Sequence, residues 1–275
     1  MKLPIILILD IDQAIIGNVS SFEKEYRILK TLNDKKLLTT YQSFVDTYIK
    51  SIDIIRPYLL DFIAFMKKKY KKVEIFLYTN STYERIEFLE PILRTKFKFK
   101  KIYTRRDSII YQKNILAIFE DICKILKLNS HKKELLENNI IFIDDVPNNL
   151  GDYLAKQILC SEYKYKYYYD LQAKFLNTYN IDITKDDNNH ILKEFNNNGV
   201  NYYDPQSNIY VISDLYLCNL NKLIKQRENE LSKCDDFFFK LIEIIKKNKY
   251  KNFNDLTIEK INKQLLDNEK ACCSN

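Results

Sequence analysis

The chain has no tryptophan and only 3 glycines in 275 residues. Beside its many Lys, Asn, Ile and Tyr residues, that scarcity points to an A/T-rich genome, as in a giant DNA virus or a protist, rather than to a functional bias. Only 2 histidines are present, His131 and His190, both in polar stretches, which argues against a histidine-based triad or a zinc centre. The 6 cysteines show no metal-ligand spacing. Cys123, Cys160, Cys218 and Cys234 stand among apolar neighbours and read as reduced core residues of a cytoplasmic or nuclear protein, in an infected host cell if the source is viral. Cys272 is fourth from the end, but the residues after it are not aliphatic, which argues against prenylation. No apolar stretch approaches the roughly 20 residues of a membrane span. Lys2 precedes an apolar run too short for a secretory signal and interrupted by Asp10 and Asp12. There is no internal repeat and no linker rich in Gly or Pro. The net charge of +7 comes from 44 basic and 37 acidic residues spread along the chain, so no basic tail for nucleic acid stands out. Lys164-Tyr165-Lys166-Tyr167-Tyr168-Tyr169 interleaves cations and rings, as a surface stacking on single strands does. In a chain with 21 tyrosines it reads instead as a compositional accident or an edge strand.

What is present is a repeated junction of apolar run and polar end. Ile5-Ile6-Leu7-Ile8-Leu9 reads as a buried strand and ends at Asp10-Ile11-Asp12. Val73 to Tyr78 reads as a second strand, ending at Thr79-Asn80-Ser81, and Ile140 to Ile143 as a third, ending at Asp144-Asp145. Helical stretches separate them, the alternation expected of a parallel sheet with crossover helices. Ligands in such sheets bind at the carboxyl ends of the strands. If the three strands are neighbours, Asp10, Asp12, Thr79, Asp144 and Asp145 meet on one edge. Four adjacent carboxylates repel, and a cation that neutralised them would relieve the strain on their ionisation. Hard oxygen donors of this kind suit magnesium, and a carboxylate beside a metal-bound phosphate can form an aspartyl-phosphate.

These junctions resemble the motifs of the haloacid dehalogenase (HAD) superfamily of phosphotransferases. Arg56-Pro57-Tyr58-Leu59-Leu60-Asp61-Phe62 is similar to a segment of one branch, the FCP/NIF-like phosphatases that act on the RNA polymerase II C-terminal domain. Phe76 to Ser81 resembles that branch's second motif, Ile143 to Asn148 its fourth, and Tyr111-Gln112-Lys113-Asn114 the segment bearing its lysine. The resemblance spans roughly Leu3 to Leu150. It implies a Rossmann-like α/β parallel sheet with a small insertion after the first strand. It also implies a magnesium-dependent phosphatase of phosphoserine or phosphothreonine in protein. Asp10 would be the nucleophile and Asp12 the acid and base. Thr79, Asn80 and Lys113 would bind phosphate, and Asp10, Asp12, Asp144 and Asp145 would provide the metal site. Arg56 would anchor the insertion or touch substrate. A small-molecule or nucleic-acid-end phosphatase, or a weak pseudophosphatase acting as a binding module, are the alternatives.

Two departures bear on this. Gln13-Ala14 replaces the branch's usual Glu or Gly followed by Thr, removing a hydroxyl beside the acids. The interval from Lys113 to Asp144 is long, with Leu128 to Lys132 reading as an inserted loop, so Lys124 is a second candidate for the lysine. The expected organisation is a catalytic core over 1–214 with an insertion at 16–55, then a helical extension over 215–275 packed on the core. Pro57 is expected to open a helix, Ser81-Thr82-Tyr83-Glu84 to cap one, and Pro147 to start another. Tyr210 to Ser213 is a candidate last strand. Helices are expected within Asp214 to Lys247 and from Leu256 to Leu266. No insertion of domain size separates Thr79 from Lys113, and an unlidded site suits a residue displayed on a macromolecule.

Overall fold

Three apolar runs form the middle of one parallel sheet. In the computed structural model β1 (Ile5–Leu9) pairs on one side with β2 (Val73–Tyr78) and on the other with β4 (Ile140–Asp144). Two short strands complete the edges, β3 (Ile102–Tyr103) beside β2 and β5 (Gln157–Leu159) beside β4, in the order β3-β2-β1-β4-β5. The structure describes residues 3–17, 55–109, 112–163 and 235–273, positions 35, 36, 39 and 43, and the strands at 202–204 and 209–211. Most of the insertion at 16–55, together with Tyr111, the Lys164 to Tyr169 run, His190, Cys218, Cys234 and the boundary at 214/215, lies outside the described residues.

The chain divides into two compact units, one of Met1–Asn18, Asp53–Tyr165 and Asp236–Asn275, the other of Val19–Ile52 and Lys166–Asp235. Within the second, β6 (Tyr202–Asp204) and β7 (Ile209–Val211) form an antiparallel pair. The strand expected near Tyr210 is thus half of a separate hairpin and no part of the parallel sheet.

In the first unit every residue of β1 is buried, because crossover helices cover both faces. This is why the central strands read as unbroken apolar runs rather than alternating ones. On one face Ile6, Ile8, Phe76, Tyr78, Ile140 and Phe142 pack with Ile115, Ile118, Phe119 and Ile122. Those four lie on α3 (Ile115–Ile125) at the i, i+3, i+4, i+7 spacing of a helix stripe. The other helices of this region are α1 (Leu59–Lys69), α2 (Tyr83–Lys96) and α4 (Lys132–Asn138).

Three local expectations need correction. Pro57 lies in a turn, and α1 begins at Leu59 after Tyr58 in a left-handed conformation. The N-cap of α2 is Thr82 rather than Ser81 and makes no side-chain cap bond, and the Ser81 hydroxyl is engaged elsewhere. Pro147 opens no helix. It sits in a turn with Asn148 at φ 58°, and the chain reaches β5 through a single 3-10 turn at Leu154–Lys156.

Two C-terminal helices, α5 (Phe237–Asn248) and α6 (Asp255–Cys273), belong to the same unit as the sheet. Phe238 of α5 lies against Phe62 of α1, with ring centroids 5.3 Å apart. Lys69 donates to the Ile245 carbonyl at 2.7 Å, satisfying an orphan acceptor near the end of α5. Lys156 is fully buried. Its ammonium donates to the carbonyls of Glu137 and Phe253 and pairs with Asp255 at 2.8 Å. No described helix is long and apolar enough to cross a membrane.

Phe238 is fully buried between α1 and α5. Phe238→Ala is expected to lower stability by about 3–5 kcal/mol, read from the urea midpoint of the full chain. A shift below about 1 kcal/mol would mean that α5 adds little to the folded unit.

Candidate active site

Strand register gathers the polar ends. Leu9 stands opposite both Leu77 and Ile143, so Asp10, Thr79 and Asp144 leave the sheet at nearly one level. The Asp10 amide donates to the Ile143 carbonyl at 2.9 Å, and the Thr79 amide to the Tyr103 carbonyl at 3.0 Å. Backbone bonds thereby hold the chain straight as far as the acids.

Lys113 comes from outside the sheet and is fixed by its neighbours. Its amide donates to the Asn149 carbonyl at 3.1 Å, and its carbonyl accepts from the Gly151 amide at 2.7 Å. A Cβ on Gly151 would stand 3.1 Å from the Gln112 side-chain oxygen, so the close approach suits glycine. Just beyond, the Asn114 side chain caps α3 through the Ala117 amide, and Asp152 accepts from the Ile115 and Leu116 amides. The buried ammonium then reaches Asp10 Oδ1 at 2.5 Å and Asp144 Oδ2 at 2.6 Å. Asp144 also accepts from the Val146 amide and the Asn149 side chain. Lys124 is exposed on α3, away from this position.

Burial shapes the ionisation here. It pushes the Asp10 carboxyl well above the usual range, opposed by Lys113 and reinforced by Asp144 and Asp12. Burial works to lower the Lys113 ammonium, but Asp10 and Asp144 outweigh it, and the net shift is upward. Asp145 is raised to about 6, by burial and then by the Asp144 charge.

Carboxylate oxygens of Asp10, Asp144 and Asp145 lie within 4.8 Å of one another. Asp145 Oδ1 is buried and has no hydrogen-bond partner among the described residues. A buried acceptor of that kind is costly unless a cation or water meets it, so the three acids fit a hard cation with oxygen ligands. The Asp12 carboxylate is not in this group. Beyond β1 the chain turns sharply, with Gln13 at φ 61°, and Asp12 faces the end of β2. Its Oδ2 accepts from Thr79 at 3.1 Å and Ser81 at 2.6 Å, and its Oδ1 pairs with Arg85.

Asn80 serves the rim. Its side-chain Nδ2 donates to Asn149 Oδ1 at 3.1 Å, its side-chain oxygen accepts from the Ser108 hydroxyl, and its backbone carbonyl accepts from Arg105. A cleft of about 440 Å³ is lined by Asp10, Asp12, Thr79, Asn80, Lys113 and Asp145, with Ser81, Arg85, Arg105 and Asn149 among its other walls. Sequence reasoning did not single out those last four as site residues. Arg85 carried a usable signal, being a cation in the first turn of α2, where the helix end disfavours positive charge.

Arg56 is buried behind the acid loop. It donates to the Ala14 carbonyl at 3.2 Å and to Ser161 at 3.0 Å, and its own amide donates to the Ile15 carbonyl. Its guanidinium lies 4.8 Å from the Phe237 ring centroid and 5.9 Å from that of Phe238.

A family model described as NLI interacting factor-like phosphatase matches residues 5–188, well over half of the chain and all of the site. No curated protein matches. One similar solved structure is a HAD-superfamily hydrolase, subfamily IA, variant 1, from Geobacter sulfurreducens. It is 11% identical with a TM-score of 0.29, over 53% of this chain and 80% of that one, and is too distant to bear on the site.

Removing Lys113 would leave Asp10 and Asp144 buried side by side. Lys113→Met is expected to cost about 3–5 kcal/mol in urea unfolding at neutral pH without divalent ions. An unchanged midpoint would contradict the ion triad.

Proposed function

We propose a reaction and a substrate class for this chain, which belongs to the NLI interacting factor-like phosphatase family. The reaction is magnesium-dependent hydrolysis of a phosphate ester through an aspartyl-phosphate on Asp10, and the substrate is phosphoserine or phosphothreonine in protein. The observation that carries the reading is the buried Asp10–Lys113–Asp144 triad, with the unsatisfied Asp145 oxygen beside it.

Asp10, Asp144 and Asp145 would hold magnesium, which when bound neutralises the acids and draws charge from the phosphoryl group. Asp10 attacks phosphorus. Its oxygen–phosphorus bond forms as the bond to the serine or threonine oxygen breaks, and that oxygen takes a proton from Asp12. Water then attacks the phosphoryl group, gives its proton to Asp12, and releases phosphate and free Asp10. Lys113 and Thr79 line the cleft where the phosphoryl oxygens would lie.

The macromolecular substrate is supported by the short connection across the site. Between Thr79 and Lys113 the described chain holds α2, the two-residue β3 and one 3-10 turn at Arg105–Asp107, so no domain is inserted in that interval. Arg105 on the cleft wall adds positive charge that favours a phosphate dianion.

Asp10→Asn should abolish turnover of an aryl phosphate while retaining the wild-type melting curve. Most activity surviving in that variant would remove Asp10 from its role. Excess chelator should stop wild-type turnover, magnesium should restore it, and calcium should inhibit through its larger, looser coordination. Phosphopeptides should show higher kcat/KM than nucleoside monophosphates or sugar phosphates, and the reverse ranking would assign the site to metabolites.

A further inference from the structure

Asp12 is the acid-loop carboxylate outside the cation group, and its hydrogen-bond partners are all donors. Two hydroxyls, of Thr79 and Ser81, meet one oxygen, and Arg85 meets the other. Ala14, two residues along, brings no polar side chain. The Thr79 hydroxyl is itself oriented by accepting the Ser81 amide at 3.0 Å. Arg85 stands in the first turn of α2, where the helix end disfavours a cation, so the pair with Asp12 holds against a local preference. Both side chains are mostly buried, at 14% and 26% exposure, which lessens the solvent screening that weakens surface pairs.

We propose that Arg85 is the positioning residue for Asp12, holding its carboxylate as an acceptor for the proton of the water that hydrolyses the aspartyl-phosphate. With the hydroxyls on one oxygen and the guanidinium on the other, the carboxylate plane cannot turn. Without Arg85 one oxygen is released, and the two hydroxyls alone leave rotation about the side chain. Misorientation of a proton acceptor slows the step it serves. The inference rests on the phosphatase reading above and concerns its second half.

The test uses the full chain, magnesium and p-nitrophenyl phosphate, whose leaving group departs without a proton. In that substrate kcat/KM reports formation of the phospho-enzyme, and a slow kcat reports its hydrolysis. Arg85→Ala should lower kcat by about 10- to 100-fold and lower KM in parallel, leaving kcat/KM within about threefold. A burst of nitrophenolate should appear, with phosphate trapped on the protein by acid quench. Arg85→Lys, which keeps a charged donor, should recover part of kcat. A raised KM with unchanged kcat would make Arg85 a substrate contact. Equal falls in kcat and kcat/KM without a burst, or unchanged kinetics with a lowered melting temperature, would also overturn the proposal. Should Arg85→Ala not fold, Arg85→Met carries the same test. A folded wild type inert toward every phosphate ester would overturn the phosphatase reading itself, and the positioning role with it.

Discussion

Lys113 places one buried ammonium between two buried carboxylates, Asp10 and Asp144. These acids come from adjacent strands, β1 and β4, and would repel across the sheet edge if both were charged and unpaired. The lysine makes their proximity tolerable, and its own position is secured by backbone bonds to Asn149 and Gly151. The clustering of these acids at the cleft depends on that one placement. Burial of the trio is costly in itself.

A second cation, Arg56, supports the same loop from behind. It is buried, yet it is held by the Ala14 carbonyl, by Ser161 and by aromatic rings of α5. The turn at Gln13 and Ala14 is therefore braced by α5, more than two hundred residues away along the chain. This gives α5 a part in the site without touching the cleft. It also bears on the absent hydroxyl at Ala14: the loop is fixed through its backbone, and Asp12 finds its donors on β2's end and α2 instead.

Particular elements show why some features could be read early and others not. β1, β2 and β4 are covered on both faces, so their sequences are continuous apolar runs ended by polar residues. β3 and β5 are edge strands of two and three residues, too short to carry a pattern. Ser81 has the chemistry of a helix cap, and only the neighbouring carboxylate diverts its hydroxyl to Asp12. Pro147 has the chemistry of a helix start, and the turn that lets the Val146 amide and Asn149 reach Asp144 takes its place.

The sequence by itself determined the parallel α/β core and the strand ends that carry Asp10, Asp12, Thr79, Asp144 and Asp145. Those are properties of apolar runs, their lengths and the residues that stop them, all local along the chain. Only the tertiary structure decided which acids cluster together and which one faces Arg85. Carboxylate orientation depends on a turn of left-handed backbone at Gln13 and on donors drawn from distant segments. Neither leaves a periodic trace in the chain, because both are set by strand register and by burial.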